Sequence, residues 1–354
     1  MMGRHPKVSL SVPSAEADGA ARRPMRRTAS GGSAGQLALP LAPRSKPAGG
    51  TLGALRVVDL FCGCGGMSLG FQEAGFTIAA ACDNWKPALD VYSDNFSHKA
   101  TLCDLSDPAT DDMVRGYRPD VIIGGPPCQD FSSAGPNDHA SGRAGLIERF
   151  VALVAAGDPM YFVMENVPRT RLRPVFKRAE TRLRALGYGL TVRVLDASLC
   201  GVPQLRERLF VIGAKGAAEG FLTGHLEERL AARPLTLRQY FGSSLGTEYY
   251  FRVPTNYGRR GVFSIDEPCV TIRAVDRPIP SGYPGHPDDS APIGPAVRPF
   301  TVLERSYIQT FPKTFRFTGT KSNQNTMIGN AVPVRLARYV AEALARYIKD
   351  VDET

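Results

Sequence analysis

The chain has 354 residues, 43% of them hydrophobic and 22% charged, enough to bury a large core and too apolar for a fibre or a disordered chain. No apolar run approaches the roughly 18 residues of a membrane-spanning helix, and the N-terminus lacks the apolar centre of a secretory signal, so a soluble cytoplasmic protein is expected. Seven cysteines, an odd number without any C-x-x-C pair, argue against a disulfide framework and a zinc knuckle, and no metal is expected. The net charge of +9 is uneven: most of the basic excess lies in residues 1–50, and the rest is close to balance, so bulk charge alone does not establish a DNA partner.

Residues 1–50 are rich in Gly, Ala, Ser, Pro and Arg, lack aromatic residues and show no sustained apolar period, which predicts a disordered basic tail. Arg22, Arg23, Arg26 and Arg27 offer cations to phosphates, and the acid-poor composition also resembles an organelle transit peptide; a solvated tail is the simpler reading. From Leu55 onward, short β-branched runs alternate with amphipathic stretches. Strands are predicted over 56–60, 77–82, 120–124, 160–164, 191–196 and 209–214, and helices over 67–74, 87–95, 146–156 and 175–186. That order implies a doubly wound α/β domain with a mostly parallel sheet, covering 51–214. Residues 215–297, dense in Pro, Gly, Tyr and Arg, break the rhythm and predict a small irregular inserted domain. The first domain resumes over 298–354, with a helix at 332–348.

The motifs fall at predicted strand ends. Asp59-Leu60-Phe61-Cys62-Gly63-Cys64-Gly65-Gly66 follows the first strand and opens a helix, where glycines let a ligand approach the backbone, although such turns also occur in purely structural settings. Asp83, ending the second strand, can accept hydrogen bonds from ribose hydroxyls, and Asp104 from an adenine amine; either alone also reads as a loop or capping aspartate. No basic residue interrupts the glycine loop, which suits a nucleoside without phosphates such as S-adenosylmethionine. Gly124-Gly125-Pro126-Pro127-Cys128 displays one cysteine on a proline-framed loop, a candidate nucleophile, whereas Cys82, Cys200 and Cys269 read as buried apolar residues. Glu165-Asn166-Val167 is expected to follow the fifth strand on the same sheet edge as Cys128, and the alternating Arg206 and Arg208 either bracket that pocket or lie on a solvated strand edge.

Together, D-L-F-C-G-C-G-G, G-P-P-C-Q-D-F-S, E-N-V, Q-L-R-E-R and the terminal G-N-A-V-P resemble the DNA (cytosine-5)-methyltransferases of the bacterial restriction-modification type, over about residues 55–214 and 298–350. The resemblance implies that Cys128 attacks cytosine C6, that Glu165 contacts N3 and the exocyclic amine, and that Arg208 contacts O2 with Arg206 in support. It implies that Phe61, Gly63, Gly66, Asp83, Asp104, Pro126, Asn330 and Val332 hold S-adenosylmethionine. Residues 215–297 take the place of the target-recognition domain, and Gln129, Ser132, Gln204, Arg252, Arg259, Arg260, Thr271 and Arg273 are the expected DNA contacts. The implied partner is double-stranded DNA, with a cognate restriction endonuclease encoded nearby, and the expected state is a monomer bound to the nucleoid through DNA. Three positions depart from the pattern. Cys62 replaces a small residue, Asn84 an adenine-covering apolar one that Phe61 or Trp85 can substitute, and Leu303 the arginine of R-x-L-T-x-R-E, which predicts a missing local salt bridge. The competing readings are RNA cytosine methylation on the same fold and a catalytically inert DNA-binding module.

Overall fold

The computed structural model describes residues 52–127, 145–275 and 277–353. The first part of the chain alternates β1 (Arg56–Leu60), α1 (Gly66–Glu73), β2 (Thr77–Asp83), α2 (Lys86–Asn95), β3 (Lys99–Leu102), α3 (Thr110–Tyr117), β4 (Val121–Gly124), α4 (Gly145–Gly157), β5 (Tyr161–Asn166), α5 (Pro174–Ala185), β6 (Tyr188–Asp196), β7 (Gln204–Leu205) and β8 (Glu207–Lys215). Then follow α6 (Thr223–Glu227), α7 (Leu237–Phe241), β9 (Tyr249–Phe251), β10 (Val262–Ser264), β11 (Cys269–Val270), β12 (Val297–Arg298), α8 (Val302–Ile308), α9 (Lys321–Asn330) and α10 (Val334–Asp352).

Seven strands form one sheet in the order β3-β2-β1-β4-β5-β8-β6, all running the same way except β8, which is antiparallel to β5 and β6. This is the doubly wound, mostly parallel sheet that the alternation of elements predicts. Both faces are covered: Val57 joins a core with Phe71 of α1 and Leu344 of α10, while Val58 and Leu60 join Phe150 of α4 and Leu183 of α5. Strands buried on two sides read as unbroken apolar runs, which is why they are visible in sequence. β3 is not legible that way, because it is a four-residue edge strand with no buried residue.

α10 carries the chain's C-terminal part back onto α1, with Val334, Leu336, Ala337, Val340, Ala341 and Leu344 all buried. α6 lies against the same helix, so Leu222 and Leu226 share the main core. Beyond it, β9 pairs antiparallel with β10 and parallel with β12, and β11 runs parallel to β7. Tyr250 stacks between Phe263 and Phe300, at ring-centroid distances of 5.4 and 4.3 Å, giving this small sheet its own aromatic centre.

Two expectations need correction. Glu165 does not follow β5 but lies within it, paired with Phe210 of β8; the strand ends at Asn166, whose side chain binds Pro126 O, Val167 N and Thr170 Oγ1. The salt bridge expected to be missing beside Leu303 is supplied otherwise. Arg298 grips both oxygens of Glu304, at 2.6 and 2.8 Å, while Leu303 stays exposed. Among the described residues, no helix is long and apolar enough to cross a membrane.

Candidate active site

The chain leaves β1 toward β2 and β3 on one side and later returns to β4 on the other, so the crevice at the carboxyl ends of β1 and β4 is a topological switch point. A cavity of about 1030 Å³ opens there, lined by the residues after β1, β2, β3 and β4, the end of β5 and the end of α9. Four carboxylates, Asp59, Asp83, Asp104 and Glu165, line it, and among the described residues no Lys, Arg or His does.

The glycine loop is built by backbone constraints. Phe61 has φ +61°, a left-handed conformation that an aromatic residue adopts only under local constraint, and Gly65 caps α1 at φ +96°. Gly66 has no room for a side chain, because a Cβ there would sit 2.2 Å from the Val332 carbonyl oxygen. The first helix and the G-N-A-V-P turn are thus in backbone contact. Asp83 fixes the loop: its two oxygens accept from Gly63 N and Trp85 N, each at 2.8 Å, and each keeps a lone pair for a ligand. Burial raises its carboxyl despite these bonds. Asp104 is exposed and held low by the Ser106 hydroxyl and amide, both donating to Oδ1.

Asp59 is the acid the sequence reading did not single out as a site residue, although a carboxylate inside Val57-Val58-Asp59-Leu60 was a usable signal. It is 1% exposed, its Oδ2 accepts from Ser68 Oγ at 2.7 Å, and its Oδ1 has no protein partner. Burial pushes its carboxyl up to about 7, with the Ser68 bond opposing and Asp83 adding to the rise.

At the opposite wall, Glu165 Oε1 lies 2.8 Å from Arg208 Nε. Burial lifts the Glu165 carboxyl above its ordinary range, and the guanidinia of Arg208 and then Arg206 only partly offset it. Arg206 does not reach the cavity. It is 2% exposed and donates to the carbonyls of Ile272, Gly329 and Ala331 at 2.9, 2.9 and 3.0 Å, tying three distant segments together.

The other expected residues divide. Phe61, Gly63, Gly66, Asn330 and Val332 line the cavity with Asp83 and Asp104; Trp85 and Asn84 do so as well. Pro126 does not: it is buried with its carbonyl held by Asn166, and Pro127 takes the cavity wall instead. Gln204 is fully buried, bridging Ile272 N and Gln309 Oε1, so it offers nothing to DNA. Arg260 is paired with Glu267 and lies over Phe263, and the Thr271 hydroxyl donates to Leu205 O. Arg252, Arg259 and Arg273 have no carboxylate partner among the described residues. Cys128, Gln129 and Ser132 lie outside the described residues.

The profile of the C-5 cytosine-specific DNA methylase family matches residues 55–346. The Type II methyltransferase M.HgiDI of Herpetosiphon aurantiacus is 52% identical over 295 residues, covering 83% of this chain and 95% of that protein. M.HindV of Haemophilus influenzae is 49% identical over 298 residues, 84% of this chain and 98% of its own. The solved structure of the S. pombe Dnmt2 methyltransferase shares the fold, with a TM-score of 0.64 at 19% identity over 84% of this chain and 99% of that one. The cavity at the switch point, with its glycine loop and its Glu165–Arg208 pair, is therefore set in a chain that belongs to the C-5 cytosine-specific DNA methylase family and is a DNA (cytosine-5)-methyltransferase.

Proposed function

We propose that this enzyme transfers the methyl group of S-adenosylmethionine to C5 of a cytosine flipped out of double-stranded DNA, through a covalent bond between the Cys128 thiolate and C6. Its biological role is the modification arm of a restriction-modification system with a cognate endonuclease. The observation that carries the reading is the make-up of the cavity: four carboxylates without a basic residue on the described wall, one of them the buried Glu165 that the half-buried Arg208 holds from behind the lining.

A cation without phosphates suits that wall. S-adenosylmethionine bears an ammonium and a sulfonium against one carboxylate, a net positive charge, and Asp59, whose buried Oδ1 has no protein partner among the described residues, is one of the acids lining the cavity. Asp83 is assigned the ribose hydroxyls, Asp104 the adenine amine, Phe61 or Trp85 the adenine face, and Gly63, Gly66, Asn330 and Val332 the close backbone approach. Bound there, the donor supplies an electrophilic methyl group.

The remaining chemistry belongs to the chain. A pyrimidine C5 is too weak a carbon nucleophile to accept a methyl group unaided. Addition of the Cys128 thiolate at C6, with a proton taken up at N3, makes C5 an enamine carbon; C5 takes the methyl group as the donor's C–S bond breaks, and transfer of the C5 proton to water or a base then expels the thiolate and restores the ring. Glu165, with its carboxyl raised by burial, supplies or shares a proton at N3 as the thiolate adds, and Arg208 orients that carboxyl and meets O2. The reacting carbons are inaccessible in a stacked duplex, so the base must leave the helix, at a cost of a few kcal/mol.

The test is single-turnover methyl transfer from tritiated donor with saturating DNA. Cys128→Ala is expected to abolish transfer with donor binding intact, and Glu165→Gln to slow it by roughly 10²–10⁴. Transfer by Cys128→Ala above a few per cent of wild type refutes the adduct, and a Glu165→Gln rate within about threefold of wild type refutes the proton role.

A further inference from the structure

In residues 238–298 the arginines fall into two groups, and the buried Arg305 that follows them donates to Arg273 O. Arg238 is paired with Glu248 and Asp266, Arg260 with Glu267, and Arg298 with Glu304. Arg252, Arg259, Arg273 and Arg277 have no carboxylate partner among the described residues, where their side chains make one long hydrogen bond, Arg273 Nη2 to Thr255 Oγ1 at 3.4 Å. Cations without partners are expected on a solvated surface. Arg252, however, is half-buried, and burial together with the neighbouring charge of Arg273 holds its guanidinium below the ordinary range. A protein keeps such a group uncompensated where a ligand completes it.

The surroundings say what kind of ligand. Arg252 lies between two adjoining cavities of about 260 and 370 Å³, both of which it lines. The first has an apolar floor of Phe251, Val270, Ile272 and Phe300, with Arg273 and Arg277 at the exposed rim. The second is edged by the exposed Arg259. Arg252 directly follows β9, and its backbone N–H donates to Gly261 O at 2.8 Å, so the hairpin fixes the root of the side chain. A phosphate needs no enclosure, and exposed arginines on mobile stems serve it. A recessed planar fork with a fixed root suits a base edge, and in the major groove the bidentate partner of arginine is guanine, through O6 and N7.

We infer that Arg252 is a specificity-determining residue of this methyltransferase and reads one guanine of the recognised sequence, while Arg259, Arg273 and Arg277 hold the flanking phosphates. This rests on the reading that the β9–β10–β12 sheet faces the DNA substrate.

The experiment methylates a randomised duplex library with the wild-type enzyme, Arg252→Lys, Arg252→Ala and Arg259→Ala, and reads the sites by bisulfite sequencing. DNA affinity is titrated against salt in parallel. Wild type is expected to require at least one guanine besides the one paired with the target cytosine. Both Arg252 variants should relax that position, or it and its symmetry mate, by about 5- to 150-fold, the spread expected for one lost bidentate base contact. Arg259→Ala should keep the wild-type site preference and lower the salt slope by about one. The lysine variant keeps the charge and stem, so its result stands if the alanine variant does not fold. An unchanged site preference in Arg252→Lys overturns the inference, as does a loss of methylation uniform over all sequences. A wild-type enzyme that methylates no cytosine at C5 fails the functional reading itself, and so is distinguished from both.

Discussion

Asp59 is a single acid in an apolar strand, and the hydrogens around it are aligned in one direction. Ser68 Oγ donates to Asp59 Oδ2 at 2.7 Å and Tyr92 Oη to Ser68 Oγ at 2.6 Å, which leaves the Tyr92 oxygen to accept from His98 Nε2 at 2.5 Å. This relay favours the charged carboxylate, burial favours the neutral acid, and burial prevails, placing the group near 7. The folded state therefore binds more protons at Asp59 than the unfolded state between about pH 4 and 7, so this group's contribution to the stability of the ligand-free protein falls as pH rises through that window. Binding of a cationic donor runs the other way, because it needs the carboxylate. Donor affinity measured by calorimetry is expected to rise with pH, approaching tenfold per unit below about 7 and levelling above it. Asp59→Asn should remove most of that dependence. Asp83 also faces the cavity with a raised carboxyl, so the difference between wild type and Asp59→Asn is the decisive quantity, and identical pH profiles would refute the assignment.

Among the elements, the site depends on how closely α1 approaches the turn before α10. A Cβ on Gly66 would meet the Val332 carbonyl oxygen at 2.2 Å, and neither backbone can yield without separating the glycine loop from the G-N-A-V-P turn. Gly66→Ala is expected to cost about 1–3 kcal/mol of stability and to weaken donor binding, measured by denaturant unfolding and calorimetry. Gly116, exposed in α3 with open space where a Cβ would stand, is the matching control. There alanine should stabilise by about 0.5–1 kcal/mol through helix propensity. Equal effects at the two positions would mean that the contact at Gly66 is not the constraint.

The chain as a whole carries its basic excess unevenly, with residues 1–50 far more basic than the rest. Counterion release makes the salt dependence of DNA binding a count of neutralised phosphates. Removing residues 1–50 is expected to leave folding and site choice intact while flattening the slope of affinity against salt. An unchanged slope would assign all phosphate contacts to residues beyond 50. Within the described residues, β7 is joined to the segment after β11 and to the turn between α9 and α10 by buried polar ties. Arg206 reaches Ile272, Gly329 and Ala331, and Gln204 links Ile272 to Gln309, whose amide continues to Ile328 O.

What repeats locally could be read along the chain without coordinates. The alternation of apolar runs and amphipathic stretches specified a mostly parallel sheet, since side-chain period follows backbone geometry. Motifs at strand ends, Phe61 and Asp83 among them, were legible because a parallel sheet brings its carboxyl ends to one edge. What each polar group meets was settled only on folding. Gln204 and Gln309 are 105 residues apart, and Arg206 and Gly329 are 123 apart, and no local pattern encodes such pairings. For the same reason Arg252 and Arg260, alike in sequence, part company: Arg260 finds Glu267 and Arg252 finds no carboxylate among the described residues. The exposed Leu303 beside a complete Arg298–Glu304 pair, and the orphaned oxygen of Asp59, follow likewise from distance through space, which folding sets and sequence spacing does not.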